Sequence, residues 1–198
     1  MSPAPKRFQQ TKQLHFVTFS CYRRLPFLAT PHAARVFEEY LEKTRLWYGL
    51  NVYAYVVMPE HVHLLVNEPE RSSLSVAIQM LKQNVSRALA AQKAAPQFWQ
   101  RRYCDFNVWN EPKRIDKLQY IHNNPVTRGL VAKPEDWLWS SFLHCATGKD
   151  GVVEIESEWT ARRRERMGKP LRMNTPAESL PPCRNNGDKG GAPSERKG

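Results

Sequence analysis

Residues 51–67 read NVYAYVVMPEHVHLLVN, two β-branched, apolar runs separated at Pro59. Proline has no N–H to donate to a sheet ladder, so Pro59 belongs at a turn or strand edge, and the two runs are expected to fold back on each other as a hairpin. A strand's side chains alternate between faces. The second run therefore puts His61, His63 and Leu65 on one face, with the histidines together and away from the core, and Val62, Leu64 and Val66 on the other.

The flanking sequence supplies elements to pack against this hairpin. LHFVTFSCY has the aromatic and β-branched content of a first strand, in which Leu14, Phe16 and Thr18 alternate with His15, Val17 and Phe19. Thr30 is a helix cap with Pro31 at the first helical position, and Val36, Phe37, Tyr40, Leu41 and Thr44 continue a stripe to about Trp47, where Gly49 ends it. Ser72 or Ser73 caps a second helix, with Leu74, Ile78, Leu81 and Val85 recurring as far as about residue 91. FWQRRYCDFNVWN reads as a further strand, and Asn110 caps a third helix expected to stop near Asn124, because Pro125 disfavours helical geometry in the residue before it.

The order β-α-β-β-α-β-α predicts an α+β fold, an antiparallel sheet with packed helices in the manner of ferredoxin-like domains. The expected organisation is a flexible arm over 1–12, the domain over 13–147, a basic extension over 148–167 and a disordered tail over 168–198. That tail is rich in glycine and proline and has too few large apolar residues to offset its ordering entropy.

Thirty Lys and Arg face nineteen Asp and Glu, a formal charge of +11, which favours a polyanion such as nucleic acid as partner. The four cysteines, Cys21, Cys104, Cys145 and Cys183, form no CxxC pair, arguing against a zinc ribbon or a disulfide framework and for a reducing compartment. No stretch resembles a secretory signal or a membrane span, so the chain is expected to be cytoplasmic and nucleoid-associated.

Imidazoles at i and i+2 on a strand are close enough to bind one divalent metal. Spacing alone equally allows a pair of half-exposed surface histidines. Tyr120 and Asn124, four apart, lie on one face of the third helix. Were that face over the histidine strand, Asn124 would complete a metal site and the Tyr120 hydroxyl would stand beside it. A metal polarising a phosphate oxygen would then make phosphorus easier for the tyrosine to attack. Periodicity alone also allows Tyr120 an ordinary amphipathic role. His122 sits about 200° around the helix from Tyr120 and is read as structural or DNA-facing.

YVVMPEHVHLLV, FWQRRYCDFNVWN, YIHNNPVTRGLV and WLWSSF, in this order over roughly residues 13–146, together resemble the REP-associated tyrosine transposases of the single-tyrosine HUH superfamily. The resemblance implies a ferredoxin-like HUH domain, Mg²⁺ or Mn²⁺ bound by His61 and His63 with Asn124 as third ligand, and Tyr120 as nucleophile. The implied activity is metal-dependent cleavage and rejoining of single-stranded DNA beside a repetitive extragenic palindrome hairpin, through a 5′-phosphotyrosine intermediate, by a monomer or homodimer. Arg128 departs from the usual NPVxAGLV pattern, where a small residue is expected. The alternatives are a non-catalytic hairpin-DNA-binding protein of the same fold and a metal-dependent phosphodiesterase.

Beyond the site, Arg101 and Arg102 are candidate phosphate contacts, and Arg162, Arg163 and Arg164 candidate hairpin contacts. Trp99, Tyr103, Phe106 and Trp109 are candidates for base stacking, though most aromatics in such a strand are expected in the core.

Overall fold

The computed structural model describes residues 14–90 and 97–168. The arm over 1–12 and, Gly168 apart, the tail over 168–198 lie outside the described residues, as does Cys183. Four strands, β1 (Leu14–Ser20), β2 (Val52–Val57), β3 (His61–Val66) and β4 (Cys104–Val108), form one antiparallel sheet in the order β2-β3-β1-β4. Pro59 and Glu60 make the β2–β3 turn, closed by the Met58 N–H donating to the His61 carbonyl at 2.8 Å.

Helices α1 (Pro31–Tyr48) and α2 (Leu74–Ala88) cover one face of the sheet. Thr30 caps α1 by accepting from the Ala33 N–H, and Gly49 ends it at φ 65, a left-handed conformation that glycine adopts without strain. Ser73 caps α2. Their apolar stripes, Phe37 and Leu41 on α1 and Ile78, Leu81 and Val85 on α2, pack against Val17, Phe19, Val62, Leu64 and Val66 in the larger core.

The other face carries α3 (Glu111–Thr127), where Ile121 and Leu118 meet Ala54, Val56, Leu65 and Val108. This helix runs past the expected stop at Asn124. Pro125 removes one N–H, but the neighbouring carbonyls remain used: Arg128 donates to the Asn124 carbonyl and Leu130 to that of Pro125. Burial of Pro125 itself, beside Ile121 and Asn124, offsets the lost bond.

The strand expected across FWQRRYCDFNVWN is shorter, since only Cys104–Val108 pairs as β4 and Trp99 makes an isolated bridge to Cys21. Trp137 donates to the Val57 carbonyl, and the Val57 N–H to the Trp139 carbonyl, so WLWSS runs along the outer edge of β2. Ile155 bridges Val52 farther along the same edge, and Val153 and Ile155 are buried in the larger core. Part of the 148–167 extension thus closes an edge that would otherwise be open to strand addition. Two short helices finish the described residues, α4 (Phe142–Thr147) and α5 (Glu158–Arg166). No helix among the described residues is long and apolar enough to cross a membrane.

His122 is structural. It is a buried residue of α3, its Nε2 lies 2.9 Å from Ser141 Oγ, and burial pushes its pKa down to about 4. The unfolded chain holds a proton on this imidazole near pH 6.5 and the folded chain does not, so stability should decline as pH falls from about 6.5 towards 4. The His122 contribution is on the order of 3 kcal/mol. Chemical denaturation across this range should give a slope flattened by up to one proton in His122→Gln.

Candidate active site

The site lies between β3 and α3. His61 and His63 are 5% and 4% exposed, so the expectation that they sit away from the core needs correcting. They do share the face predicted by strand alternation, but α3 covers that face.

Each imidazole is oriented through its Nδ1. Thr18 Oγ1, across the β1–β3 pairing, lies 2.7 Å from His63 Nδ1, and Glu60 Oε1 lies 3.1 Å from His61 Nδ1. A carboxylate can only accept, so His61 carries its proton on Nδ1 and presents a lone pair at Nε2. The Asn124 side-chain amide lies over the same ring, its nitrogen 3.4 Å from His63 Nε2. The two Nε2 atoms face each other at 3.0 Å. Two imidazole nitrogens at this distance share a proton or a cation between them.

Burial lowers the His61 pKa against the opposing pull of Glu60, with smaller lowering contributions from Arg24 and Arg128. For His63, burial leads, followed by His61, Lys117 and Arg24, and the value falls to about 3. Both rings are therefore neutral at neutral pH, the protonation state that binds metals. Asn124 Oδ1 is buried without a hydrogen-bond partner among the described residues, an acceptor whose desolvation is uncompensated. No group of three or more His, Cys, Asp or Glu among the described residues forms a metal cluster. The groups here that could hold a divalent cation are the two imidazoles and the Asn124 side-chain amide.

Tyr120 is half exposed, with its ring edge-on to His63 at 5.2 Å and to Phe16 at 5.8 Å. Phe16 stacks on His63, and the Lys117 ammonium lies 4.5 Å from the Phe16 ring and 5.7 Å from that of Tyr120. The histidines, Tyr120 and Asn124 all line one cleft of about 660 Å³, whose rim includes Arg24, Cys104, Gln119 and Arg128. Arg128 Nη2 donates to Glu60 Oε1 at 2.7 Å, so one carboxylate serves both His61 and the guanidinium.

The other sequence candidates lie elsewhere. Arg101 and Arg102 are exposed on the segment before β4 and do not line the cleft. Arg162, Arg163 and Arg164 sit on α5, paired with Glu158, with Asp150, and with Glu154 and Glu156 respectively. Trp99 is core, with its indole N–H on the Lys82 carbonyl, whereas Phe106 and Trp109 are exposed. Lys113 sits 3.5 Å over the Trp109 ring, and Lys117 sits 5.3 Å from that of Phe106.

Sequence reading missed Phe16 and Thr18 as neighbours of the histidines, although their alternation with Val17 and Phe19 placed them together on one face. Lys113 and Lys117 were also missed, although they stand seven and three residues before Tyr120 on the same helix. Glu60 and Arg24 carried no periodic signal, because both lie on turns.

Residues 9–124 match the family described as Transposase IS200 like. The chain is 32% identical over 108 residues to a REP-associated tyrosine transposase of Haemophilus influenzae, a match covering 48% of this chain and 60% of that protein. It is 30% identical over 90 residues to the REP-associated tyrosine transposase of Escherichia coli K12, covering 45% of this chain and 52% of that protein. The chain thus spans between half and three-fifths of the length of these curated relatives. A solved REP-associated tyrosine transposase bound to a REP hairpin has the same fold, with TM-score 0.65 and 24% identity over 79% of this chain and 93% of that one.

The orphaned Asn124 oxygen generates a stability prediction. An unsatisfied buried acceptor costs about 1–3 kcal/mol, so Asn124→Ala should shift the midpoint of denaturation, measured in EDTA, by less than an ordinary buried asparagine would. A loss of more than about 3 kcal/mol would mean the oxygen has a structural partner.

Proposed function

Because the chain belongs to the IS200-like transposase family, we propose that it is a metal-dependent single-stranded DNA endonuclease and strand transferase that uses Tyr120 as nucleophile. The observation that carries this reading is the placement of a half-exposed tyrosine ring 5.2 Å from an imidazole whose Nε2 converges with that of a second imidazole. His61, His63 and Asn124 would hold Mg²⁺ or Mn²⁺, which when bound supplies polarisation of a phosphate oxygen and relief of charge in the transition state.

The Tyr120 hydroxyl oxygen attacks phosphorus as the bond to the 3′ oxygen of the preceding nucleotide breaks. The 5′ phosphate stays on Tyr120, the departing 3′ oxygen takes up a proton, and a free 3′-OH is left. In the reverse direction a 3′-OH attacks the phosphotyrosine, the bond to the tyrosine oxygen breaks, and the strand is rejoined. One phosphodiester replaces another of similar energy, so no nucleotide triphosphate is consumed. Phe16 and His63 wedge the Tyr120 ring and restrict its rotamers, which favours a single approach to phosphorus.

The proposed substrate is single-stranded DNA flanking a repetitive palindrome hairpin, by analogy with the relative whose structure contains such a hairpin. Arg101, Arg102 and the exposed Phe106 and Trp109 are proposed to contact the strand, and Arg162, Arg163 and Arg164 on α5 the hairpin. A monomer or a homodimer would each satisfy this chemistry.

The test incubates the protein with labelled hairpin DNA carrying its single-stranded flank, in Mn²⁺ or EDTA, followed by denaturing electrophoresis. A covalent adduct is expected in Mn²⁺ alone, absent in Tyr120→Phe and at least about tenfold weaker in His61→Ala or His63→Ala. Binding without adduct would establish the non-catalytic alternative. Cleaved ends carrying no protein would indicate hydrolysis instead.

A further inference from the structure

Arg23 and Arg24 are consecutive non-glycine residues with positive φ, 50 and 55 respectively, and among the described residues no other non-glycine residue shares this conformation. Left-handed backbone is strained for an L side chain, and two in succession persist only where surrounding bonds over-determine them. Those bonds are present on both sides of the turn. The Cys21 N–H donates to the Glu60 carbonyl at 2.9 Å, the Leu28 N–H to the Pro59 carbonyl at 2.9 Å, and the Tyr22 N–H to the Phe98 carbonyl at 2.8 Å. The strained turn is therefore tied by backbone bonds to the loop that carries Glu60 and leads into His61.

The result of the strain is a position for a side chain. Arg24 reaches the cleft that holds Tyr120 and the histidine pair, and Arg128 reaches it from the end of α3. Arg24 is exposed and has no carboxylate partner among the described residues, whereas Arg128 shares the Glu60 carboxylate. Two guanidiniums on one rim, one of them uncompensated, form an anion site whose planar donor forks match phosphate. Local packing does not account for Arg24, since a glycine would relieve its backbone and a neutral residue would lessen charge at the cleft.

We propose that Arg24 and Arg128 form a phosphodiester-binding clamp at the rim of the cleft, holding the strand backbone next to the phosphate that Tyr120 attacks. The clamp rests on the reading of this cleft as a single-stranded DNA site. Arg24 supplies a permanently available guanidinium. Arg128 exchanges its Glu60 partner for, or shares it with, the phosphate.

The experiment separates binding from chemistry by using the full chain with Tyr120→Phe, in EDTA, and a fluorescent oligothymidylate as probe, with anisotropy read across a salt series. Adding Arg24→Ala or Arg128→Ala should weaken binding several-fold at low salt, and each should reduce the slope of log affinity against log salt by about 0.7, the loss of one phosphate contact on a single strand. Arg24→Gly should weaken binding equally while leaving the melting temperature unchanged or higher, because glycine accepts the left-handed backbone. Unchanged affinity and slope in both alanine variants would overturn the clamp. So would a fall in the Arg24→Gly melting temperature that parallels its loss of binding, since that would make Arg24 a structural residue.

Adduct formation by the Tyr120-containing protein is scored separately. If no adduct forms yet the arginine variants lose affinity, the cleavage reading fails and the clamp stands as a nucleic-acid contact. If the adduct forms normally and the arginines change neither affinity nor slope, the clamp fails and the cleavage reading stands.

Discussion

The site depends on β3 being buried on both faces. A strand in that position would ordinarily be apolar throughout, and its Val62, Leu64 and Val66 face is, packed under α1 and α2. On the opposite face two histidines replace aliphatic residues, and α3 seals them. Polar groups so placed are costly unless their hydrogen bonds are made. Thr18 and Glu60 provide for Nδ1 of each ring, and the two Nε2 atoms are left pointing at one another. Each ring is thereby held with its Nε2 towards the other at a specific point in an otherwise well-packed layer.

Other departures from local structural preference collect around the same point. α3 holds Asn124 over His63 and, by passing through Pro125 where a helix would more often stop, keeps Arg128 in reach of Glu60. Asn124 Oδ1 is buried without a hydrogen-bond partner among the described residues. Arg23 and Arg24 take left-handed backbone at the turn bonded to the Glu60 loop. Away from the cleft, helix caps, strand alternation and core stripes follow the rules expected of them. Strained backbone and a helix carried across a proline, meeting at one cleft, are features expected of a functional site.

Electrostatics follow the same geography. Arg162, Arg163 and Arg164 of α5 are matched by carboxylates within residues 150–158. Lys113 and Lys117, by contrast, lie over aromatic rings along the exposed side of α3, leading from Trp109 towards Tyr120. Formal charge alone did not distinguish these groups. One set is held in ion pairs with neighbouring carboxylates, and the other lies over aromatic rings.

Much of the architecture was legible because it is encoded in local period and local caps. Thr30 and Pro31 mark the start of α1, Gly49 its end, Ser73 and Asn110 the starts of α2 and α3, and Pro59 the hairpin turn. The period of two also put His61 and His63 on one face, and the period of 3.6 put Tyr120 and Asn124 one turn apart. Whether those two faces meet is a long-range matter, settled by α3 packing Ile121 and Leu118 onto Leu65 and Val56. The same packing buried histidines that alternation alone had placed away from the core. Thr18, Glu60 and Arg24 come from a neighbouring strand and two turns, separated widely in the chain, and no local pattern joins them. Local sequence can specify which way a side chain points from its own element, but contact between elements is chosen by the whole set of apolar faces being buried together.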